Sequence, residues 1–329
     1  MNMAAPGTRW KGRVLAGLVK SWPWLKWLLA AVMLGALYYA AQWHELWRAL
    51  WQLDAGWLLC AMALFVPQTL LSAWRWRCLA RWDQTLSLGV AVAHTLAAAA
   101  LNLTLPAKTG DFVRGGFRNM KPQHFIAGAL CTLREKIADV AVLLVLLGLG
   151  LWCSASTAVT LLALLAVCNC VTAVWPACSP PWRHTMRLLW QTALLWALHM
   201  LQIACFFRAA GVLVPWDTFL ARTPLALFAG LIPLTPWGLG TRDLALAVLF
   251  ADVAPTAALA VVGLLMTTRY LVPGVMGLPF LTIVSSRALH ERIGQELSAV
   301  IDRDGDMRLI VLPPRDESAE VEEPAIPMA

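Results

Sequence analysis

The chain has 329 residues, of which 60% are hydrophobic and 14% are charged, and its formal net charge is +7. A soluble domain contains roughly 25% charged residues, so this composition excludes an ordinary soluble enzyme. The basic residues lie between long apolar segments, which is the pattern of a membrane protein obeying the positive-inside rule. We therefore expect an all-α, polytopic membrane protein that binds no nucleic acid.

The first part of the chain predicts a cytoplasmic start and two spans. Residues 1–24 contain four basic residues and no acid. Spans follow over about 25–41 and 55–74, since a helix needs about 20 apolar residues to cross a bilayer. Tryptophans suited to the membrane interface lie near the connection: Trp43, Trp47, Trp51 and Trp57. Three arginines after the second span are predicted to be cytoplasmic anchors: Arg75, Arg77 and Arg81.

The apolar segment 86–105 is interrupted by His94 and Asn102 and ends at Pro106. Basic residues precede and follow it. A full crossing would place one basic cluster outside, whereas a re-entrant hairpin keeps both inside. We favour the hairpin, whose broken backbone must then face protein or a wet cavity.

The rest of the chain predicts four more spans, over 125–151, 155–176, 189–210 and 256–284. Before the last span, an apolar run from Phe219 is broken by three residues and followed by an acid: Pro236, Gly238, Gly240 and Asp243. This is predicted to be a second re-entrant hairpin, entering from the opposite side. The prediction is six spans and two hairpins, with both termini cytoplasmic.

Three regions follow from this reading. Residues 1–24 form a basic cytoplasmic segment, residues 25–290 form the transmembrane domain, and residues 291–329 form a largely disordered, acidic cytoplasmic tail.

The two broken segments resemble each other. Each has a proline, three residues, then a glycine, with an acid within three positions: Pro106, Gly110 and Asp111 in the first, and Pro236, Gly240 and Asp243 in the second. Each is followed by a span carrying an arginine, Arg134 or Arg269. The orientations are opposite, so the pattern is an inverted repeat, which is typical of transporters and points to a site between the broken segments.

Four intramembrane charges need an explanation, since each costs at least about 2.5–3.5 kcal/mol. They are Arg134, Glu135, Asp139 and Arg269. Structural pairing is one explanation: Glu135 and Asp139 lie one helical turn apart and could neutralise Arg134, Lys136 or Arg269. A lipid headgroup site is the other, since arginine binds phosphate bidentately. Arg134 and Arg269 are predicted to lie close together near the midplane.

Candidate binding residues also surround the hairpins. In the first these are Asn102, Lys108, Asp111 and Arg114, where Asp111 could instead cap a helix restarting after Gly110. In the second, Gly238 and Gly240 form either a plain loop or a turn whose amides favour an anion.

The sequence offers no catalytic or metal-binding pattern and implies no cofactor. It contains no P-loop, GxSxG or HExxH motif, and its eight cysteines include no CxxC pair. The cysteines are interpreted as small buried residues.

The order and spacing of several motifs resemble the flippase-like membrane domain, the transmembrane region of the lysylphosphatidylglycerol synthase family. These motifs are Trp74–Arg77, Asn102–Pro106 with Gly110–Asp111 and Arg114, Arg134–Glu135 with Asp139, and Pro233 with Thr235–Gly240. The resemblance covers about residues 25–290. The chain departs from the pattern where Trp237 replaces a glycine, Asp243 replaces a glutamate, and Arg134-Glu135-Lys136 replaces Glu-Arg.

The resemblance implies a lipid-handling bundle in the bacterial inner membrane, related to stand-alone members associated with hopanoid and polyprenyl lipids. The aminoacyl-transferase domain has no counterpart here, so the chain is not expected to be the synthase or any other enzyme. We expect a translocator of an anionic phospholipid or a polyprenyl- or hopanoid-type lipid. The alternatives are a membrane subunit that scaffolds a cytoplasmic lipid-modifying transferase, and an embedded transferase with Glu135 or Asp139 as base.

Overall fold

The computed structural model describes residues 24–80, 86–105, 109–117, 122–154, 182–231 and 234–303, and every regular element in these ranges is helical. The helices are α1 (Trp24–Ala40), α2 (Trp43–Trp51), α3 (Ala55–Ala63), α4 (Phe65–Leu79), α5 (Leu88–Thr104), α6 (Gly110–Val113), α7 (Pro122–Ser154), α8 (Trp182–Ala209), α9 (Trp216–Leu231), α10 (Thr241–Leu249) and α11 (Thr256–Arg303). Two 3₁₀ turns cover Arg114–Gly116 and Pro236–Gly238.

The chain divides into the units Met1–Ala288 and Leu289–Ala329. The first unit contains the broken segments and the candidate site. In the second, helical structure continues to Arg303, and residues 304–329 of the predicted disordered tail lie outside the described residues. The basic segment 1–23 also lies outside them.

Within the described residues, three helical stretches are long and apolar enough to cross a membrane: Ala55–Leu79, Thr185–Ala209 and Thr256–Thr282. The bent pair formed by α1 and α2 is a fourth candidate. The part of the chain that the structure describes is therefore all-helical with three to four candidate spans, and the count of six stays a prediction. Helix α7 has 33 residues, about 50 Å at the standard rise, but carries a cluster of charges. The predicted span 155–176 lies outside the described residues.

Helix α2 turns away from α1 by 87°, at Gln42, which has a φ of 56°. It buries Leu46 and exposes three tryptophans spaced four residues apart: Trp43, Trp47 and Trp51. This amphipathic arrangement is typical of a helix lying in the membrane interface, where tryptophan is favoured. The residues predicted to be a short connection therefore form a helix of their own.

The core of the first unit contains both apolar and polar contacts. The Phe207 ring packs on Phe219 and Phe250, with centroids 5.9 and 5.1 Å apart, joining α8 to α9 and the end of α10. Between α4 and α8, the Gln68 amide donates to the Gln202 side chain at 3.2 Å. Buried amides that pair across helices satisfy each other where water cannot.

Both predicted broken segments are broken in the structure, and each folds back on itself. In the first, Gly110 begins α6 so close to α5 that a Cβ there would lie 2.6 Å from the Ala98 carbonyl oxygen. In the second, Gly238 has a φ of 74° and lies against Gly230 of α9. Only glycine allows these approaches. The re-entrant character of the segments and their inverted-repeat relationship stay predictions.

Candidate functional site

A buried ion-pair network joins α4, the first broken segment and α7. Glu135 accepts from Arg114 and lies within ion-pair distance of Arg75, whose Nε is 3.3 Å from Glu135 Oε1. Arg75 Nη1 donates to Asp139 Oδ1 at 2.7 Å. The Arg114 guanidinium also lies 4.2 Å above the Trp76 ring. Buried charges are tolerated only when paired in this way, so structural pairing explains Glu135.

A second set of contacts fixes the first broken segment to α7. Lys136 Nζ donates to Asp111 Oδ2 at 2.7 Å, and the Asn102 amide donates to Asp111 Oδ1 at 2.9 Å. The Thr132 hydroxyl donates to the Asp111 carbonyl at 2.9 Å. The cap residue of α6 is Thr109, whose side chain makes no capping hydrogen bond. Asp111 therefore forms an ion pair with Lys136 and is not the cap of α6, which was one of the two alternatives for this residue.

The second broken segment carries its own buried pair. Arg242 Nη2 donates to Asp243 Oδ1 at 2.6 Å and to the Thr267 hydroxyl at 3.1 Å, and both charged residues are almost fully buried. Asp243 Oδ2 accepts from the Gly240 amide at 3.0 Å, capping α10. The amide of Gly240 is thus occupied by Asp243, which leaves it unavailable to an anion.

A polar cavity with two adjoining lobes lies between the broken segments. The first lobe has a volume of about 240 Å³ and its lining includes Asn102, Asp111 and Arg269. The second has about 280 Å³ and its lining includes Arg242 and Gly238. Five residues line both lobes: Lys136, Asp139, Trp196, Trp237 and Tyr270. Side chains from both broken segments and from α7, α8 and α11 therefore converge on this cavity.

One cation in the cavity, Arg269, has no ion-pair partner among the described residues. The charged groups that line the cavity, or that belong to the ion-pair network extending from its lining, include five cations (Arg75, Arg114, Lys136, Arg242 and Arg269) and four carboxylates (Asp111, Glu135, Asp139 and Asp243). Four of the cations are paired. The fifth, Arg269, has Nε and Nη1 buried without a hydrogen-bond partner among the described residues. An unpartnered guanidinium in a cavity is a ready site for an anion.

The structure brings together most, but not all, of the sequence-predicted residues. Asn102, Asp111, Asp139 and Arg269 line the cavity, and Gly238 lines its second lobe. Glu135 and Arg114 lie behind it in the ion-pair network.

Arg134 is the main departure. It is half-buried and is not among the lining residues of the cavity that holds Arg269. Successive helical residues point about 100° apart, so α7 cannot direct Arg134 and Lys136 at one site. The structure thus places Lys136 where Arg134 was expected. Pro106 and Lys108 lie outside the described residues.

Sequence reasoning missed three residues. Arg75 was predicted to be a cytoplasmic anchor, but its side chain is buried because α4 continues to Leu79 and turns Arg75 towards α7. Arg242, beside the predicted Asp243, was not singled out. Trp237 was noted only as a departure from the family pattern. The sequence does contain an indication of the role of Arg75. Glu135 and Asp139 lie four residues apart in α7, and two such carboxylates within the membrane require cations from another helix.

Within the described residues there is no group of three or more histidine, cysteine, aspartate or glutamate side chains placed to hold a metal ion. The groups that the cavity offers to a ligand are cations, a side-chain amide and aromatic rings.

Comparison with known families agrees with the motifs. The profile described as "Lysylphosphatidylglycerol synthase TM region" matches residues 24–187, and no other domain is found. This range includes α1 to α5, the first broken segment and α7. A search of curated proteins finds no match. Residues 24–187 are therefore similar to the lysylphosphatidylglycerol synthase TM region family.

Proposed function

We propose that this protein translocates an anionic lipid across the bacterial inner membrane, with Arg269 as the contact for the lipid phosphate. One observation carries the proposal: Arg269, whose buried Nε and Nη1 have no hydrogen-bond partner among the described residues, lines a cavity between the two broken segments. The family supports a role connected with membrane lipids. The cargo class, an anionic phospholipid or a polyprenyl- or hopanoid-type lipid, is part of the proposal.

The physical obstacle to translocation is the headgroup charge. A bare phosphate cannot cross about 30 Å of hydrocarbon, because burying an isolated charge costs many kcal/mol. A translocator must replace water with fixed cations and hydrogen-bond donors. Arg269 and Lys136 supply cations in the first lobe, and the Trp196 and Trp237 rings line it. In this role, the two broken segments are re-entrant hairpins that leave the cavity open to the lipid tails.

The carboxylates have a supporting role in this proposal. An empty cavity with five uncompensated cations would be unstable in a low-dielectric environment. Asp111, Glu135, Asp139 and Asp243 each accept from a cation, which leaves the site with a single excess positive charge. Their engagement in ion pairs also argues against Glu135 or Asp139 as a catalytic base. The proposal therefore includes no covalent chemistry.

Similar contacts occur at both broken segments and support the inverted-repeat interpretation. In the first, Thr132 of the following helix bonds to Asp111, and in the second, Thr267 of the following helix bonds to Arg242. Each broken segment is thus tied to the helix after it by a threonine, at matching places in the proposed repeat.

Lipid movement in reconstituted vesicles tests the proposal. Phosphatidylglycerol carrying the NBD fluorophore on a short acyl chain leaves the headgroup free, and dithionite bleaches only the outer leaflet. The expected result is bleaching beyond one half in protein-containing vesicles and not in empty ones. Acyl-labelled glucosylceramide, which carries no phosphate, should move at least about tenfold more slowly, since losing a charged hydrogen bond costs roughly 1.5–3 kcal/mol.

The competing function is a scaffold for a cytoplasmic lipid-modifying transferase. A scaffold needs no phosphate site and predicts no movement of any labelled lipid. If phosphatidylglycerol stays in its leaflet while the protein is folded and inserted, the translocator proposal is wrong and the scaffold takes its place.

A further inference from the structure

The tip of the second broken segment touches the end of the first through one side chain, Trp237. Its indole Nε1 donates to the Asn102 carbonyl oxygen at 2.7 Å. Asn102 lies in the last turn of α5, where carbonyls have no partner within the helix. The ring also meets Trp27 of α1 edge-on, with centroids 5.6 Å apart. Trp237 therefore connects the second broken segment to both α5 and α1.

The backbone conformation of Trp237 is itself unfavourable for a residue with a large side chain. Its φ is 55°, one of only two positive φ values at non-glycine residues in the described part of the chain. A bulky side chain is rarely found in this conformation, which glycine adopts without strain. Backbone strain of this kind persists where the surrounding structure holds it, often at functional sites.

Trp237 also lies where the two lobes of the cavity meet. It is among the five residues that line both lobes, and it is the one among them that belongs to a broken segment. The first lobe contains Arg269. The second is the more apolar of the two, with Val140, Leu143 and Leu227 in its lining, although Arg242 also lines it. The indole thus lies where the two lobes meet.

We propose that Trp237 is a size-selective partition: its indole closes the Arg269 lobe against the second lobe and so limits the headgroup that the lobe accepts. This inference rests on the proposed headgroup site at Arg269. The lobe's volume of about 240 Å³ lies below the roughly 300–1,000 Å³ of most small-molecule sites, which suits a phosphate carrying a small substituent. A phosphate carrying a six-membered polyol ring is larger, and in this proposal it fits only when the indole no longer separates the two lobes.

The two lipids that test the proposal have the same charge and differ in headgroup size. Dioctanoyl phosphatidylglycerol and dioctanoyl phosphatidylinositol are both phosphodiesters with one negative charge. The purified full-length chain in detergent is titrated with each, and the rise in its unfolding temperature gives the half-saturating concentration. The wild type should need at least about tenfold more phosphatidylinositol, since pocket size discriminates by roughly 10–200-fold.

Two variants separate the ring from its hydrogen bond. Trp237→Gly removes the partition and suits the positive φ, so the turn should keep its conformation; its two half-saturating concentrations should come within about threefold of each other. Trp237→Phe keeps a ring and removes the N–H donor. It should keep most of the discrimination, while amide hydrogen exchange at residues 101–105 becomes faster.

The possible results test the partition and the headgroup site separately. If the Trp237→Gly variant still prefers phosphatidylglycerol to phosphatidylinositol, Trp237 is not a partition. The same holds if the wild type binds both lipids equally while its binding of phosphatidylglycerol still depends on Arg269. In both cases the headgroup site itself stands. A wild type that binds neither lipid overturns the site and the partition together.

Discussion

Arg75 Nη1 lies 2.7 Å from Asp139 Oδ1, although the two residues are 64 positions apart in the sequence. This contact joins α4 to the middle of α7 and uses a carboxylate that would otherwise be free to face Arg269. The carboxylates around the cavity pair with other cations, so the guanidinium of Arg269 remains available to a ligand.

Replacing Glu135 by glutamine should destabilise the fold. Glu135 is buried between Arg75 and Arg114, so the variant leaves two buried guanidiniums with less counter-charge. Breaking a buried ion pair typically costs about 3–5 kcal/mol. Equilibrium unfolding in detergent should show a loss of this order.

The matched control is Asp252→Asn. Asp252 also accepts from an arginine, Arg222, and that hydrogen bond holds the pKa of Asp252 below its usual value, but its carboxylate is exposed. Exposed ion pairs are screened by water, so no measurable change in stability is expected. Equal losses in the two variants would contradict the role assigned to Glu135.

Replacing Gly277 by alanine should separate α5 from α11. A Cβ at Gly277 would overlap the Leu96 carbonyl oxygen, and backbone atoms cannot move aside as a side chain can. Overpacking of this kind costs about 1–3 kcal/mol. Gly89→Ala is the control, because a Cβ there has no atom within 4 Å. A Gly277→Ala variant as stable as wild type would show that the helices do not pack this closely.

The proposed orientation can be tested by cysteine labelling in a background without the eight native cysteines. Gln52 lies at the end of the interfacial helix α2, and Gln123 lies at the start of α7; both are exposed. A membrane-impermeant maleimide should label Gln52→Cys in intact spheroplasts and Gln123→Cys only in inverted vesicles. Labelling of Gln123→Cys from outside would exclude the inward first hairpin.

The sequence predicted the broken segments well and their partners poorly. Proline and glycine mark breaks through local conformational rules, so Gly110 and Gly238 could be identified without a structure. Which side chains pair across two helices depends on how each helix is rotated about its axis. The sequence does not indicate that rotation when charged residues occupy several faces of the helix, as residues 134–139 do in α7. Arg134 was chosen because it matches Arg269 in the repeat, and the sequence could not show that Lys136 instead faces the cavity.

The transport rate of the Arg269→Gln variant, measured beside Arg134→Gln, tests the central claim most directly. Both substitutions remove one arginine charge from a helix, but only Arg269 lines the cavity. With acyl-labelled phosphatidylglycerol in dithionite-treated vesicles, Arg269→Gln should move lipid at least about tenfold more slowly than wild type. Arg134→Gln should match wild type. If Arg269→Gln inserts, folds and moves phosphatidylglycerol at the wild-type rate, the lipid phosphate does not bind at Arg269 and the account is wrong.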